Sequence, residues 1–419
     1  MIDPTTPGAL DRLFSVFAAC EAVGIAVSGG TDSLALMLLA HNWASQQQKP
    51  PRLVVYTVDH GLRPEAAEEV AFVLAQAGRL GLEARALKWE HGEITSGLQE
   101  QARAARYRLI GAAMAADGVP VLATAHHRSD QAETVLMRLA HGSGLEGLRG
   151  MDLHSTVEGV AIVRPLLGLD RADLVRVVRG AGLSPLEDPS NADAGYERVR
   201  WRQMMPKLSE LGLDAKTLAR FAERMGEADR ALDEIARAAF DSMVDLDGFG
   251  SARLSRSDFT TLSPAIAQRV LARVLNVTGG RQKPRALSVV ELLHRALCAR
   301  GKVKTTTVLG CIVRADADAI VIAREPGRQV PEDRALEPGT ELVWDGRFLI
   351  RNLSRSAGLI AGVSDYLPRH RVQDVLGFKV IAPAEAIRTA PIVRDPEGAV
   401  LSLGGWSFDP RVSVELLID

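Results

Sequence analysis

Apolar and polar positions fall in short alternating blocks along the first half of the chain. Gly24 to Val27 is an apolar run that predicts a short buried strand ending in a Gly-rich loop. Ser33 to Ser45, with Leu34, Met37, Leu38 and Leu39 at helical spacing, predicts a helix. Leu53 to Val58 predicts a second buried strand, followed by Asp59-His60-Gly61, and Glu65 to Leu80 a helix with an acidic first turn. A strand at Glu83 to Leu87, a long helix at Gln99 to Ala116, a strand at Val119 to Thr124 and a helix at Ser129 to His141 continue the series. The alternation predicts an α/β fold, a doubly wound parallel sheet covered on both faces. Ligands of such sheets bind at the carboxyl ends of strands. Three polar segments fall there: Ser28 to Ser33, Asp59-His60 and His126-His127.

After Val163-Arg164-Pro165 the pattern changes. Asp170 to Ala181 predicts a helix, Ser184 to Gly195 a polar loop, and Arg198 to about Met243 almost continuous helix. A further helical stretch, Ser263 to Ala299, is interrupted near Gly279-Gly280. Strand-like runs follow at Thr305 to Leu309, Ile312-Val313 and Ala319 to Ala323. Glu325 to Gly339, rich in Pro and charge, reads as a linker, and Glu341 to Asp419 mixes short strands with Gly and Pro turns. The predicted division is an α/β domain at 1–207, a mainly helical domain at 208–326 and a small α+β domain at 340–419.

Composition narrows the class. The chain has 419 residues, too many for one ordinary domain, and 47% hydrophobic with 24% charged residues suits a soluble globular protein. No apolar run approaches a membrane span, so no membrane partner is expected. Residues Met1 to Leu10 lack the basic and apolar segments of a secretory signal. Cys20, Cys298 and Cys311 stand far apart and form neither a zinc spacing nor a disulfide framework, and the cytoplasm is the expected compartment. The net charge of −2 averages unlike regions. Arg269 to Lys304 carries nine basic residues (Arg269, Arg273, Arg281, Lys283, Arg285, Arg295, Arg300, Lys302 and Lys304) against one acid, Glu291. Such a local excess can bind a polyanion; the plainer reading is a solvated helical face.

Ser28-Gly29-Gly30-Thr31-Asp32-Ser33, between a strand and a helix, has a clear chemical use. Gly29 and Gly30 let the backbone approach phosphates, and the loop N–H groups with the helix N-terminus attract an anion. Ser28, Thr31 and Ser33 add hydroxyl donors. Asp32 cannot bind phosphate itself, and its expected partner is Mg²⁺ bridging the phosphates. The alternative is a Gly turn capped by Ser and Asp. The loop lacks the Gly-Lys ending of kinase-type loops and resembles the signature of the PP-loop ATP pyrophosphatase superfamily. That resemblance implies cleavage of ATP between the α- and β-phosphates and transfer of AMP to a substrate oxygen.

Further segments resemble the tRNA(Ile)-lysidine synthetase family, in order, across roughly residues 24 to 206. They are Val58-Asp59-His60-Gly61-Leu62-Arg63, the Ala102-Arg103-Ala104-Ala105-Arg106-Tyr107 helix, and His126-His127-Arg128-Ser129-Asp130-Gln131-Ala132-Glu133-Thr134. Gly142-Ser143-Gly144-Leu145, Arg164-Pro165-Leu166-Leu167, and Glu187-Asp188-Pro189-Ser190-Asn191 with Arg198 and Arg202 complete the set. Ser129, His141 and Val199 depart from the pattern, where an aspartate, an arginine and an asparagine are usual. The resemblance implies that ATP adenylates O2 of the wobble cytidine in a CAU-anticodon tRNA(Ile), and that L-lysine then displaces AMP. It implies ATP at Ser28 to Ser33, Mg²⁺ on Asp32 and Asp130, and catalytic roles for Arg103 and Arg106, which share a helix face and can meet one anion. Glu133, Arg198 and Arg202 are expected to contact lysine or tRNA. The residues of 208–326 and 340–419 are expected to hold tRNA, and a homodimer is one assembly open to the chain.

Two other functions compete. One is a different PP-loop enzyme that amidates a small molecule and needs no RNA. The other is a non-catalytic, nucleotide-sensing RNA-binding protein, for which the departures at Ser129 and His141 speak.

Overall fold

A computed structural model describes the chain except residues 1–3, 5, 62–64, 93–96, 187–192, 281–286, 300, 302, 328–330, 365–366 and 419. Leu62-Arg63, the Glu187 to Asn191 segment, and Arg281, Lys283, Arg285, Arg300 and Lys302 therefore lie outside the described residues. Two compact units form, Met1–Asp229 and Arg230–Asp419.

The first unit is built on β1 (Ala22–Ala26), β2 (Arg52–Asp59), β3 (Glu83–Lys88), β4 (Leu122–Ala123), β5 (His154–Val157) and β6 (Val160–Val163). Their order is β3-β2-β1-β4-β6-β5, with β1 parallel to β2 and β4, and β4 parallel to β6. Successive side chains point to opposite faces of a strand. Val23, Ile25, Leu53 and Val55 thus enter one core with Leu34, Met37 and Trp43 of α2 (Thr31–Ala44) and Leu174 of α7 (Arg171–Gly180). Ala22, Val54 and Tyr56 enter the other with Tyr107, Ile110 and Met114 of α4 (Leu98–Asp117). Helix α1 (Pro7–Phe14) adds Leu10 and Phe14 to the first core, α3 (Ala66–Arg79) adds Val73 and Ala77, and α6 spans Leu145–Leu148; burial on nearly every side explains why α2 is apolar all round.

The edge pair departs from the all-parallel expectation. β5 runs antiparallel to β6 because Glu158 and Gly159, at φ 49° and 79°, form a two-residue turn that can only reverse the chain. Two four-residue strands are too short for their period to show in the sequence.

Helices α5 (Arg128–Ala140), α8 (Glu197–Glu210) and the start of α9 (Ala215–Met243) share a core of Ala132, Val135, Leu136, Trp201, Leu218 and Ala222. The chain up to Asp229 thus packs with the α/β unit, beyond the 207/208 break read from the sequence.

In the second unit, β7 (Val244–Leu246), β8 (Ala252–Ser255), β9 (Thr306–Val308), β10 (Cys311–Ala315) and β11 (Ala319–Arg324) make an antiparallel sheet ordered β7-β8-β11-β10-β9. The region read as mainly helical therefore also carries a five-stranded sheet. It packs against α10 (Arg256–Thr261), α11 (Pro264–Gly279) and α12 (Leu287–Cys298) through Val270, Leu271, Val274, Leu293, Ile320 and Ile322. Buried Arg256 donates to the carbonyls of Leu297, Ala299 and Gly301, satisfying the end of α12.

The last part holds two small sheets, ordered β12-β15-β16-β17-β18 and β13-β14-β19. The strands are β12 (Arg334–Leu336), β13 (Glu341–Trp344), β14 (Phe348–Asn352), β15 (Leu359–Val363), β16 (Pro391–Arg394), β17 (Val400–Leu403), β18 (Trp406–Ser407) and β19 (Val412–Leu416). Strand β12 lies inside the segment read as a linker and pairs with β15. At the β13–β14 turn, Asp345 binds Arg324 at 2.9 Å and fully buried Arg347 at 3.0 Å.

Candidate active site

The carboxyl ends of β1, β2 and β4 open into a cavity of about 380 Å³. Its walls include Ser28, Gly30, Asp32, Ser33, His60, Arg103, Arg106, His126, Asp130 and Arg198. The structure thus brings the Gly-rich loop, the α4 arginines and the histidine segment to one place.

The loop is shaped by its own side chains. Ser33 Oγ accepts from the Ser28 N–H at 3.1 Å and donates to the Gly30 carbonyl at 3.0 Å. Gly29 sits at φ +85°, and a Cβ there would lie 2.9 Å from Leu186, so a side chain would be both strained and crowded. Gly30 is the N-cap of α2, with no side chain capping the helix. An uncapped N-terminus beside a cavity leaves backbone N–H groups that can attract an anion.

Acidic groups gather around His127. This residue caps α5, and its Nδ1 accepts the Ser129 N–H at 3.2 Å. The ring proton therefore belongs on Nε2. Nε2 lies 3.5 Å from Asp32 Oδ2 and 3.4 Å from Asp130 Oδ2, so one buried imidazole holds the two carboxylates facing each other. Asp130 also accepts the His127 backbone N–H at 2.9 Å, closing a capping box. Burial pushes the Asp32 carboxyl up, but the hydrogen bond and electrostatic attraction of the His127 N–H, aided by Arg171 and Arg202, outweigh it and hold the group below its ordinary value.

Two carboxylates suit Mg²⁺, which takes one or two from a protein and completes its shell with water and phosphate. Asp32 Oδ1 is buried without a hydrogen-bond partner, leaving a lone pair for a cation. Among the described residues no group of three or more metal-ligating side chains occurs.

Glu133 is 1% exposed and fully engaged. Arg198 Nε donates to Oε2 at 2.7 Å, and Arg202 Nε to Oε1 at 2.7 Å. Arg198 also reaches Asp130 Oδ1 at 2.8 Å. The hydrogen bonds Arg202 donates to Glu133 hold its guanidinium above its ordinary value. Arg202 also reaches Glu133 Oε2 at 3.2 Å, so α8 is fastened to α5 by four charge-assisted bonds around the carboxylates.

Arg103 and Arg106 both line the cavity. Arg103 stacks on Tyr107 with 5.3 Å to the ring centroid, and Arg106 donates to His60 Nε2 at 3.1 Å. Burial pulls the Arg106 guanidinium below its ordinary value. His126 hydrogen-bonds Thr124 Oγ1 at 3.0 Å, and burial lowers it to about 3 despite nearby Asp130. It is a neutral imidazole at physiological pH.

The PP-loop domain family matches residues 8–208. A tRNA(Ile)-lysidine synthase of Rhodopseudomonas palustris is 41% identical over 329 residues, 76% of this chain and 94% of that protein. The chain belongs to the tRNA(Ile)-lysidine synthase family. Synthases of this name from Bradyrhizobium, at 38% identity over 78% of this chain, and Ruegeria pomeroyi, at 39% over 78%, agree. Membership in the tRNA(Ile)-lysidine synthase family makes the chain a ligase that uses ATP. Neither the small-molecule reading nor the non-catalytic reading is favoured.

Two departures from the family pattern now have surroundings. His141 Nε2 pairs with Glu197 Oε1 at 3.1 Å, tying the end of α5 to the start of α8. Ser129 offers its backbone N–H to His127. Sequence reasoning missed the bridging place of His127, for which the only signal is the His-His pair at a strand end. It also missed Arg171, whose Nε lies 3.6 Å from Asp32 Oδ1, and which stands in none of the motifs.

Proposed function

We propose that the chain makes lysidine in the cytoplasm, on the wobble cytidine of the CAU-anticodon tRNA(Ile), from ATP and L-lysine. The observation that carries this reading is the meeting of an uncapped phosphate loop, the Asp32–His127–Asp130 cluster and the Arg103–Arg106 pair in one cavity of a family member.

In the first half-reaction, cytidine O2 attacks the α-phosphorus, the α–β bridge breaks and pyrophosphate leaves. The loop N–H groups and the Ser28 and Ser33 hydroxyls hold the outer phosphates as they gain charge. Asp32 and Asp130 would hold Mg²⁺, which when bound neutralises phosphate oxygens. In the second, the lysine amine attacks C2, the C2–O2 bond breaks, AMP leaves with that oxygen, and the ammonium protons are lost. Arg103 and Arg106 supply positive charge where the AMP phosphate departs. His126, neutral, can orient a group but carries no charge.

Both oxygens of Glu133 are engaged, so we assign it the positioning of Arg198 and Arg202. Residues 1–207 carry the chemistry in this reading, and 208–326 and 340–419 hold tRNA phosphate. Among the basic residues, exposed Arg295 and Lys304 suit that role, whereas Arg273 covers the Phe240 ring.

Incubation with radiolabelled lysine, Mg²⁺-ATP and the CAU-anticodon transcript should place label in RNA and release AMP and pyrophosphate. RNA left unlabelled under those conditions would overturn the reading.

A further inference from the structure

Arg171 opens α7, directly after its N-cap Asp170. Its anchorage is firm. Asp170 and Asp173 form a capping box, and Arg128 of α5 pairs with Asp170 at 2.6 Å, so the starts of α5 and α7 are tied together. The head of Arg171 is free by contrast. Its side chain is 54% exposed, and its one ion pair among the described residues is the 3.6 Å approach to Asp32 Oδ1. That distance allows attraction but no hydrogen bond. Asp32 Oδ1 is buried and has no hydrogen-bond partner, and Arg171 none of its own among the described residues. Two opposite charges meet here without being committed to each other.

We propose that Arg171 is a mobile phosphate clamp: it balances Asp32 while the site is empty and turns to the outer phosphates of ATP when that carboxylate takes a divalent cation. The inference rests on the ATP reading given above. The physical reason is competition. A cation on Asp32 repels the guanidinium, and the same event brings polyanionic phosphate oxygens to the loop one residue away. A guanidinium carries five donors in a planar fork suited to phosphate. An exposed head on a fixed stem can swing without disturbing α7. Charge on the departing pyrophosphate grows during adenylation, and a guanidinium at that end stabilises it.

The test separates the outer phosphates from the nucleoside. Calorimetric titration of the full chain with ATP, pyrophosphate and AMP, each with Mg²⁺, would be run on wild type, R171M and R171K. R171M is expected to bind ATP and pyrophosphate about tenfold more weakly, the scale of a charge-assisted contact, with AMP affinity kept. R171K should fall between. Equal losses for ATP and AMP would make Arg171 merely structural, and unchanged ATP affinity in R171M would remove the clamp; either result overturns the inference and leaves the ATP reading standing. A wild-type chain that binds neither ATP nor pyrophosphate would take both down.

Discussion

One imidazole sets the spacing of the two acids proposed to hold metal. Because His127 Nδ1 is occupied by a backbone N–H, its Nε2–H has no choice but to face Asp32 and Asp130. Asp32 is also the N2 residue of α2, inside the phosphate loop, so it couples cation and phosphate. Replacing it by Asn should lower lysidine formation at least about a hundredfold, the usual scale for losing one electrostatic group from such a site, with tRNA binding kept in a gel-shift assay. A rate like that of wild type would remove Asp32 from the metal. The chemical type of these residues was legible in the sequence, since a Gly-rich loop between strand and helix has few other uses. Their mutual contacts were not, because Asp32 and Asp130 stand far apart in sequence and no local pattern reports a meeting across a sheet. His126 gives a pH signature. Its ordinary value is 6.5 and burial lowers it to about 3, so between those values the unfolded chain takes up a proton that the native site refuses. Native stability should therefore fall as pH drops through that window. Asp32, held below its ordinary 3.8, adds a further loss as pH falls through its lowered value. In thermal melts, His126→Asn should show a shallower decline than wild type between pH 6.5 and pH 4; parallel curves would refute the neutral, buried imidazole.

At the scale of elements, the decisive contact is between helices α5 and α8. The spacing of Arg198 and Arg202 showed that they share a face. It did not show that the face meets Glu133, which the fold buries beneath them. Glu133→Gln keeps the shape and removes the charge. It should cost about 1–3 kcal/mol in urea denaturation, at the lower end because both arginines remain a third or more exposed and can be solvated. Activity should fall with it, since Arg198 also holds Asp130. A variant as stable and as active as wild type would show the helices to be held by apolar packing alone. The long helices and the strands β1 to β3 were readable because each spans enough residues to display a period. Strands β5 to β8, of three or four residues, were not, and the helical pattern around β7 and β8 hid them.

For the whole molecule, the boundary between the compact units falls inside α9, a helix of 29 residues. The single glycine of this helix, Gly226, does not interrupt it, so no turn marks the boundary and the sequence placed the break earlier. Within the second unit, the Asp345 carboxylate is the hub that joins β11 to the C-terminal sheets. Burial lowers Arg347 to about 10 and Asp345 opposes that effect. Asp345→Ala strips the partner from a fully buried guanidinium and should cost about 3–5 kcal/mol, read as an earlier transition of this unit in chemical denaturation. An unshifted midpoint would contradict the hub.

The same turn governs the order in which the chain can be finished during synthesis. Gly280, at φ +79°, ends α11 where the Asp345 carbonyl is seated so closely that no side chain would fit between them. The partner of Arg324 and the lid over this helix end are therefore translated after both α11 and β11. A nascent chain stopped near residue 326 should be cut by protease within α11 and β11 at concentrations that spare the full chain. The turn at Asp345 thus covers a helix end that an interrupted chain would leave bare.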